Sequence, residues 1–137
     1  MNGAKAFFDT NVLLYLASAE REKAAIAEQL LSCGGVVSVQ VLNEFIAVAR
    51  RKMQLSWIAI AEFTASFRST CDIVALTLSV HDRAVHIAER YRVPICDAMI
   101  VAAAIEGECS MLLTEDFQNG QLFESCLRVF NPFAASA

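Results

Sequence analysis

No apolar run in this chain reaches the roughly 18 residues that a bilayer-spanning helix needs. The longest, Ala98 to Ile105, has the length of a buried helix, so no membrane partner is expected. There is no C-x-x-C pair, and the five cysteines (Cys33, Cys71, Cys96, Cys109, Cys126) are odd in number and widely spaced. That pattern excludes a disulfide framework and a zinc ribbon. It predicts mostly small core residues in a reducing cytoplasm. Histidine is scarce: His81 and His86 lie five apart on one predicted helix, where surface positions are expected, and paired-histidine acid–base chemistry is set aside. No G-x-x-x-x-G-K-[ST], G-x-S-x-G or G-x-G-x-x-G motif is present. Positive charge is also lacking, with a net charge of −4 and a pI of about 5.1. A protein that grips nucleic acid through phosphates is usually basic. The balance counts against such a partner, though less so if bound cations neutralise an acidic cluster.

What is present is apolar. Of 137 residues, 56% are hydrophobic and 19% charged, which calls for a large two-sided core or an oligomer interface. The length fits one domain, 1–137. Lys5 precedes an apolar run ending in Ala17-Ser18-Ala19, but Asp9 and Asn11 interrupt it, so no signal peptide is expected. There is no linker, repeat or low-complexity segment.

Apolar runs of strand length alternate with helical patterns. Strands are predicted at Ala6 to Phe8, Val36 to Val39, Ile73 to Leu76, Met111 to Thr114 and Leu127 to Phe130. Helices are predicted over Glu20 to Ser32, stopped by Gly34-Gly35, and over Val41 to Lys52. Ser56 caps a further one to about Arg68. Ser79-x-x-Asp82 reads as a capping box opening a helix to Tyr91, and Asp97 starts one that ends near Glu106. The order β-α-β-α-α-β-α-α-β-β resembles a three-layer α/β domain with a mostly parallel central sheet flanked by helices. Ligands of such sheets bind beyond the carboxyl ends of the strands.

Four carboxylate-bearing segments stand out against this background. Asp9 follows Ala6-Phe7-Phe8; its plain reading is a strand-end turn, but the apolar run Val12 to Leu16 makes that turn buried. Glu44 edges the apolar stripe of its helix, where its plain reading is a solvent-facing glutamate or a pair with Arg51. Asp97 precedes a helix that is apolar all round; capping is its ordinary role, and a cap is compatible with ligation through the second oxygen. Glu115 and Asp116 end the strand at Met111 to Thr114, and Asp116 is favoured over Glu115. Carboxylates on apolar elements are costly unless something positive meets them. As a set, these suit a hard cation such as Mg²⁺ or Mn²⁺. One or two such ions can generate hydroxide and stabilise both oxygens of a phosphoryl displacement. Arg50-Arg51-Lys52 matches the negative end of its helix dipole, and its sharper reading is an RNA-contacting rim beside the acids.

These residues carry a family resemblance. Phe8-Asp9-Thr10-Asn11-Val12-Leu13-Leu14-Tyr15 resembles the opening of PIN-domain ribonucleases, and Ser38 to Phe45 is similar to their second acidic segment. Asp97 to Ala104 resembles the third, Leu112-Leu113-Thr114-Glu115-Asp116 the fourth, and Asn131-Pro132-Phe133 their ending. The likeness covers nearly the whole chain and looks closest to the VapC-type toxins of bacterial toxin–antitoxin pairs. It implies a PIN-like α/β fold and a Mg²⁺- or Mn²⁺-dependent endoribonuclease. Asp9, Glu44, Asp97 and Asp116 would be its acids, the first and last two binding metal directly and Glu44 binding it or orienting the water. Thr10, Asn11, Thr114 and, more weakly, Glu115 would be supporting groups. It also implies a homodimer and an antitoxin protein as partner. One departure stands out: many relatives carry T-x-D-x-D-F in the fourth segment, whereas Thr114-Glu115-Asp116-Phe117-Gln118-Asn119 has one aspartate. Asn119 replaces the second acid or the acid is lost, which puts a second metal in doubt.

Two rivals remain. A non-catalytic PIN-like module would bind RNA or protein through the same surface. A phosphoacceptor domain would use Asp9, but Asn11 stands where a D-x-D pattern needs its second aspartate.

Overall fold

The computed structural model describes residues 5–134. The chain runs β1 (Ala6–Phe8), α1 (Thr10–Leu16), α2 (Arg21–Ser32), β2 (Gly35–Ser38), α3 (Val39–Arg51), α4 (Trp57–Thr70) and β3 (Cys71–Val74). It continues through α5 (Leu78–Tyr91), α6 (Ile95–Glu106), β4 (Met111–Leu113), β5 (Leu122–Phe123) and β6 (Leu127–Phe130). One sheet has the order β3-β2-β1-β4-β6-β5, parallel throughout except for the β5–β6 pair. This is the expected three-layer α/β architecture.

The strand sequences explain the layers. Phe7, Phe8, Val36, Val37, Leu112 and Leu113 are all buried, the unbroken apolar character of a sheet covered on both faces. From β1 the chain steps to β2 and β3 in one direction, then returns through α5 and α6 to β4 on the other side of β1. Right-handed crossovers in opposite directions place their helices on opposite faces. The Ala-rich α6, with Ala98 and Ile100 to Ala104 buried, lies against β2, β3, β4 and β6. Small side chains there let helix and sheet approach closely. Gly35 serves the same end at β2: a Cβ there would stand 2.6 Å from the Phe8 ring. Gly34, at φ +77°, lets the chain leave α2 in the left-handed conformation glycine favours.

Several local expectations are corrected. The run after Asp9 is a helix, α1, rather than a continued turn; Val12 and Leu13 of its inner face are fully buried. β5 was not anticipated, and β3 begins at Cys71, so Leu76 lies exposed beyond its end. The cap of α5 is Thr77, whose side chain accepts from the Val80 amide at 3.1 Å; Ser79 instead donates to Glu106. Asp97 is the third residue of α6, after the N-cap Pro94, and so is no cap. Among the cysteines only Cys71 and Cys109 are buried, while Cys33, Cys96 and Cys126 are exposed. His81 and His86 are exposed as expected.

Candidate functional site

The direction of chain progression reverses between β1 and β4, and this switch point is where open parallel sheets form a crevice beyond their strand ends. Asp9 sits there. Its amide donates to the Leu113 carbonyl at 3.0 Å, continuing the β1–β4 ladder one residue past β1. The residue is 5% exposed. Oδ1 accepts from the Thr10 amide at 2.7 Å, at the start of α1, and Oδ2 accepts from the Thr114 hydroxyl at 2.8 Å. Thr114, fully buried, follows β4 and is thereby fixed opposite Asp9.

Two further acids join through α1. Thr10 Oγ1 donates to Glu44 Oε1 at 2.8 Å, while Gln40 Nε2 donates to Glu44 Oε2 at 3.1 Å. The same Gln40 nitrogen donates to the Cys96 carbonyl at 3.1 Å, tying α3 to the start of α6, where half-buried Asp97 lies. Asn11 Nδ2 donates to Thr114 Oγ1 and to Asp116 Oδ2, each at 3.0 Å. Its Oδ1 accepts from the Glu115 amide at 3.3 Å, and the Asp116 amide donates to Thr114 Oγ1 at 3.0 Å. Thr10, Asn11 and Thr114 thus form one network around the acids.

The electrostatics follow from this crowding. Burial pushes the Asp9 carboxyl up to about 6; the Thr114 hydroxyl and Thr10 amide oppose the shift, and the charges of Asp116 and Glu44 add to it. Asp97 is also raised, first by burial and then by Asp116 and Glu44. Asp9 and Asp97 therefore both feel the other two acids. The ion pairs among the described residues involve Glu106, Glu115 and Glu124 and none of these four carboxylates. The result is a rim of negative charge without a basic counterpart. Its all-oxygen donor set suits a hard divalent cation, which would relieve the mutual repulsion. Among the described residues, no three His, Cys, Asp or Glu side chains already stand close enough to hold an ion. The rim is an open acid cluster, with charge and donor type matched to a cation but no closed cage.

Other candidates lie elsewhere. Glu115 turns away from the rim: its carboxylate accepts from Tyr15 Oη and lies 3.6 Å from Lys23 Nζ. Asn119 Oδ1 accepts from the Asn131 amide at 3.0 Å, so it pins a loop rather than standing among the acids. Glu44 makes no pair with Arg51. Arg50 donates to the Leu55 carbonyl at 3.0 Å and stacks on Trp57 at 4.7 Å. Arg51 lies seven positions beyond Glu44 on α3, about 10 Å along the axis and on the same flank of the helix. Gln40, Tyr15 and Lys23 were missed; the one available signal was Gln40 four residues before Glu44, the spacing of a same-face pair.

The chain matches the PIN domain family over residues 6–119, and it belongs to that family. Solved structures agree at the level of fold. A toxin–antitoxin complex from Klebsiella pneumoniae is similar at 23% identity and a TM-score of 0.71, over 94% of this chain and 98% of that one. VapC20 of Mycobacterium tuberculosis, described as a toxin cleaving the sarcin–ricin loop, is 16% identical with a TM-score of 0.65, over 79% and 87%. FitAcB from Neisseria gonorrhoeae is 17% identical with a TM-score of 0.64, over 95% and 99%. No curated protein matches the chain significantly.

Proposed function

We propose that this protein is a divalent-cation-dependent endoribonuclease, the toxin of a VapC-type toxin–antitoxin pair. The observation that carries the reading is the rim itself: Thr10, Asn11 and Thr114 tie Glu44, Asp116 and Asp9 together beyond β1 and β4, Asp97 feels the charges of Asp116 and Glu44, and among the described residues no basic side chain pairs with any of these acids. Membership of the PIN family supports it, as does likeness to a toxin–antitoxin complex and to a toxin that cleaves the sarcin–ricin loop.

In this reading Asp9, Asp97 and Asp116 hold Mg²⁺ or Mn²⁺, and Glu44 holds it or orients the attacking water. The bound cation supplies a Lewis acid that offsets charge on the attacked phosphate and lowers the pKa of water. The chain's own part is positioning. Thr10 and Gln40 each fix one oxygen of Glu44, and Asn11 and Thr114 fix Asp116 and Asp9. Water attacks the phosphorus in line, the bond from phosphorus to the leaving oxygen breaks, and the proton that the water loses is balanced by protonation of the leaving oxygen to a hydroxyl. Arg50, Arg51 and Lys52, at the end of α3, contribute RNA contacts beside the acids, with Arg50 packed on Trp57. A cognate antitoxin, a homodimer and a cytoplasmic location complete the proposal, with one PIN-like domain carrying the activity. No helix among the described residues is long and apolar enough to cross a membrane.

The test is purified protein on total RNA with Mg²⁺, with Mn²⁺ and with EDTA, beside Asp9→Asn. Discrete metal-dependent cleavage lost in the folded variant is the expected result. A fully active Asp9→Asn sinks the site assignment. Absence of any cation binding moves the non-catalytic binding module to first place.

A further inference from the structure

Asp116 is the most exposed acid of the rim. It is exposed, sits on the loop after β4, and its carboxylate has Asn11 as its hydrogen-bond partner. It also stands within the charge influence of Asp9 and Asp97. Like charges drive such a loop outward, and something must resist that drift if Asp116 is to stay with the other acids.

The neighbouring residue supplies the resistance. Glu115 points the opposite way, into a group assembled from three other parts of the chain. Tyr15 of α1 donates its hydroxyl to Glu115 Oε1. Lys23 of α2 donates to Tyr15 Oη at 3.0 Å and lies 3.6 Å from Glu115 Oε2. The Tyr15 ring packs on Phe133, centroids 4.7 Å apart, and the Lys23 ammonium stands 4.7 Å from one ring and 6.0 Å from the other. Asn11 and Tyr15 are four residues apart on α1, so one helix face holds the loop twice. Asn11 takes Asp116 and the Glu115 amide; Tyr15 takes the Glu115 carboxylate.

We propose that Tyr15, Lys23 and Glu115 form a clamp, backed by Phe133, that positions Asp116 against Asp9 and so sets the cation affinity of the rim. The clamp rests on the reading of the rim as a divalent-cation site. These are positioning residues: none of them touches the reacting atoms. Outer groups that orient ligands commonly change metal affinity or activity by about 10–100-fold when removed.

The experiment titrates Mn²⁺ alone into wild-type protein, Tyr15→Phe, Glu115→Ala and Glu115→Gln, with calorimetric Kd and thermal midpoint measured on each. Tyr15→Phe keeps the ring on Phe133 and removes only the hydroxyl. Glu115→Gln keeps an acceptor for Tyr15. Mn²⁺ Kd should weaken about 10-fold in Tyr15→Phe and Glu115→Ala, with Glu115→Gln recovering most of it. A merely structural role would lower the thermal midpoint and leave Kd unchanged, and that result overturns the clamp while leaving the cation site intact. Wild-type protein that binds no Mn²⁺ overturns both.

Discussion

Thr114 Oγ1 donates to Asp9 Oδ2 at 2.8 Å, joining residues 105 positions apart across the β1–β4 boundary. One hydroxyl therefore links the ends of two neighbouring strands to the most buried acid of the rim. Thr114→Val keeps the shape, removes the donor to Asp9 and removes the acceptor that Asn11 and the Asp116 amide use. It leaves a buried carboxylate oxygen without its partner, a loss of about 1–3 kcal/mol. It also strips away the largest influence holding the Asp9 carboxyl down. We expect a lower denaturant midpoint, checked by chemical unfolding, and weaker RNA cleavage at neutral pH. An unchanged midpoint would show that the bond adds nothing to stability.

The raised pKa of Asp9 makes stability depend on pH in a defined direction. Its ordinary value is 3.8 and its folded value about 6, so the folded protein binds that proton more tightly than the unfolded chain. The stability tied to the proton is fully present below pH 3.8 and is lost as pH rises through about 6. The limiting size is about 3 kcal/mol, from roughly two pH units at 1.36 kcal/mol each. In EDTA, Asp9→Asn should therefore be more stable than wild type at pH 7.5, and the gap should shrink as pH falls toward 4. Comparing the two proteins cancels the titrating groups that do not interact with Asp9. A gap that does not change between pH 7.5 and 5 contradicts the burial argument.

Much of this arrangement could be read in the chain, and the reason is local. Asp9 and Asp116 follow apolar strand runs, and parallel topology carries such positions to one edge. Glu44 edges the apolar stripe of α3, and Asp97 lies in the first turn of a helix that is otherwise apolar, which marks it as a carboxylate out of place. Residues that matter only through a partner carried no such mark. Gln40 and Tyr15 resemble any polar residue edging a helix until the fold brings Cys96 and Glu115 to them. α1 was hidden by its length: seven residues form under two turns, too few for a periodic pattern. Thr77 and Ser79 were both able to cap α5, and tertiary packing of Val80, Ala84 and Ile87 decided the register. Asn119 looked like a substitute acid because the sequence does not reveal that the loop after β4 turns it toward Asn131.

Gln40 gives the sharpest separation of rim geometry from general stability. Its amide nitrogen meets Glu44 Oε2 and the Cys96 carbonyl, each at 3.1 Å, so it sets the spacing of Glu44 and Asp97 across two helices. The side chain is half-buried, and water can replace both hydrogen bonds when it is removed. Gln40→Ala should therefore change stability by no more than about 1 kcal/mol. Glu44 would keep its bond from Thr10 and lose its second restraint, and a catalytic group misplaced by about 1 Å can cost about 100-fold in rate. Steady-state cleavage of a short RNA substrate should show a reduced kcat with KM nearly unchanged, because substrate contacts remain. Gln40→Glu should be worse than Gln40→Ala, since it replaces a donor with a further negative charge beside Glu44. Equal rates for all three proteins would mean that Glu44 needs no help from α3 to reach its working position.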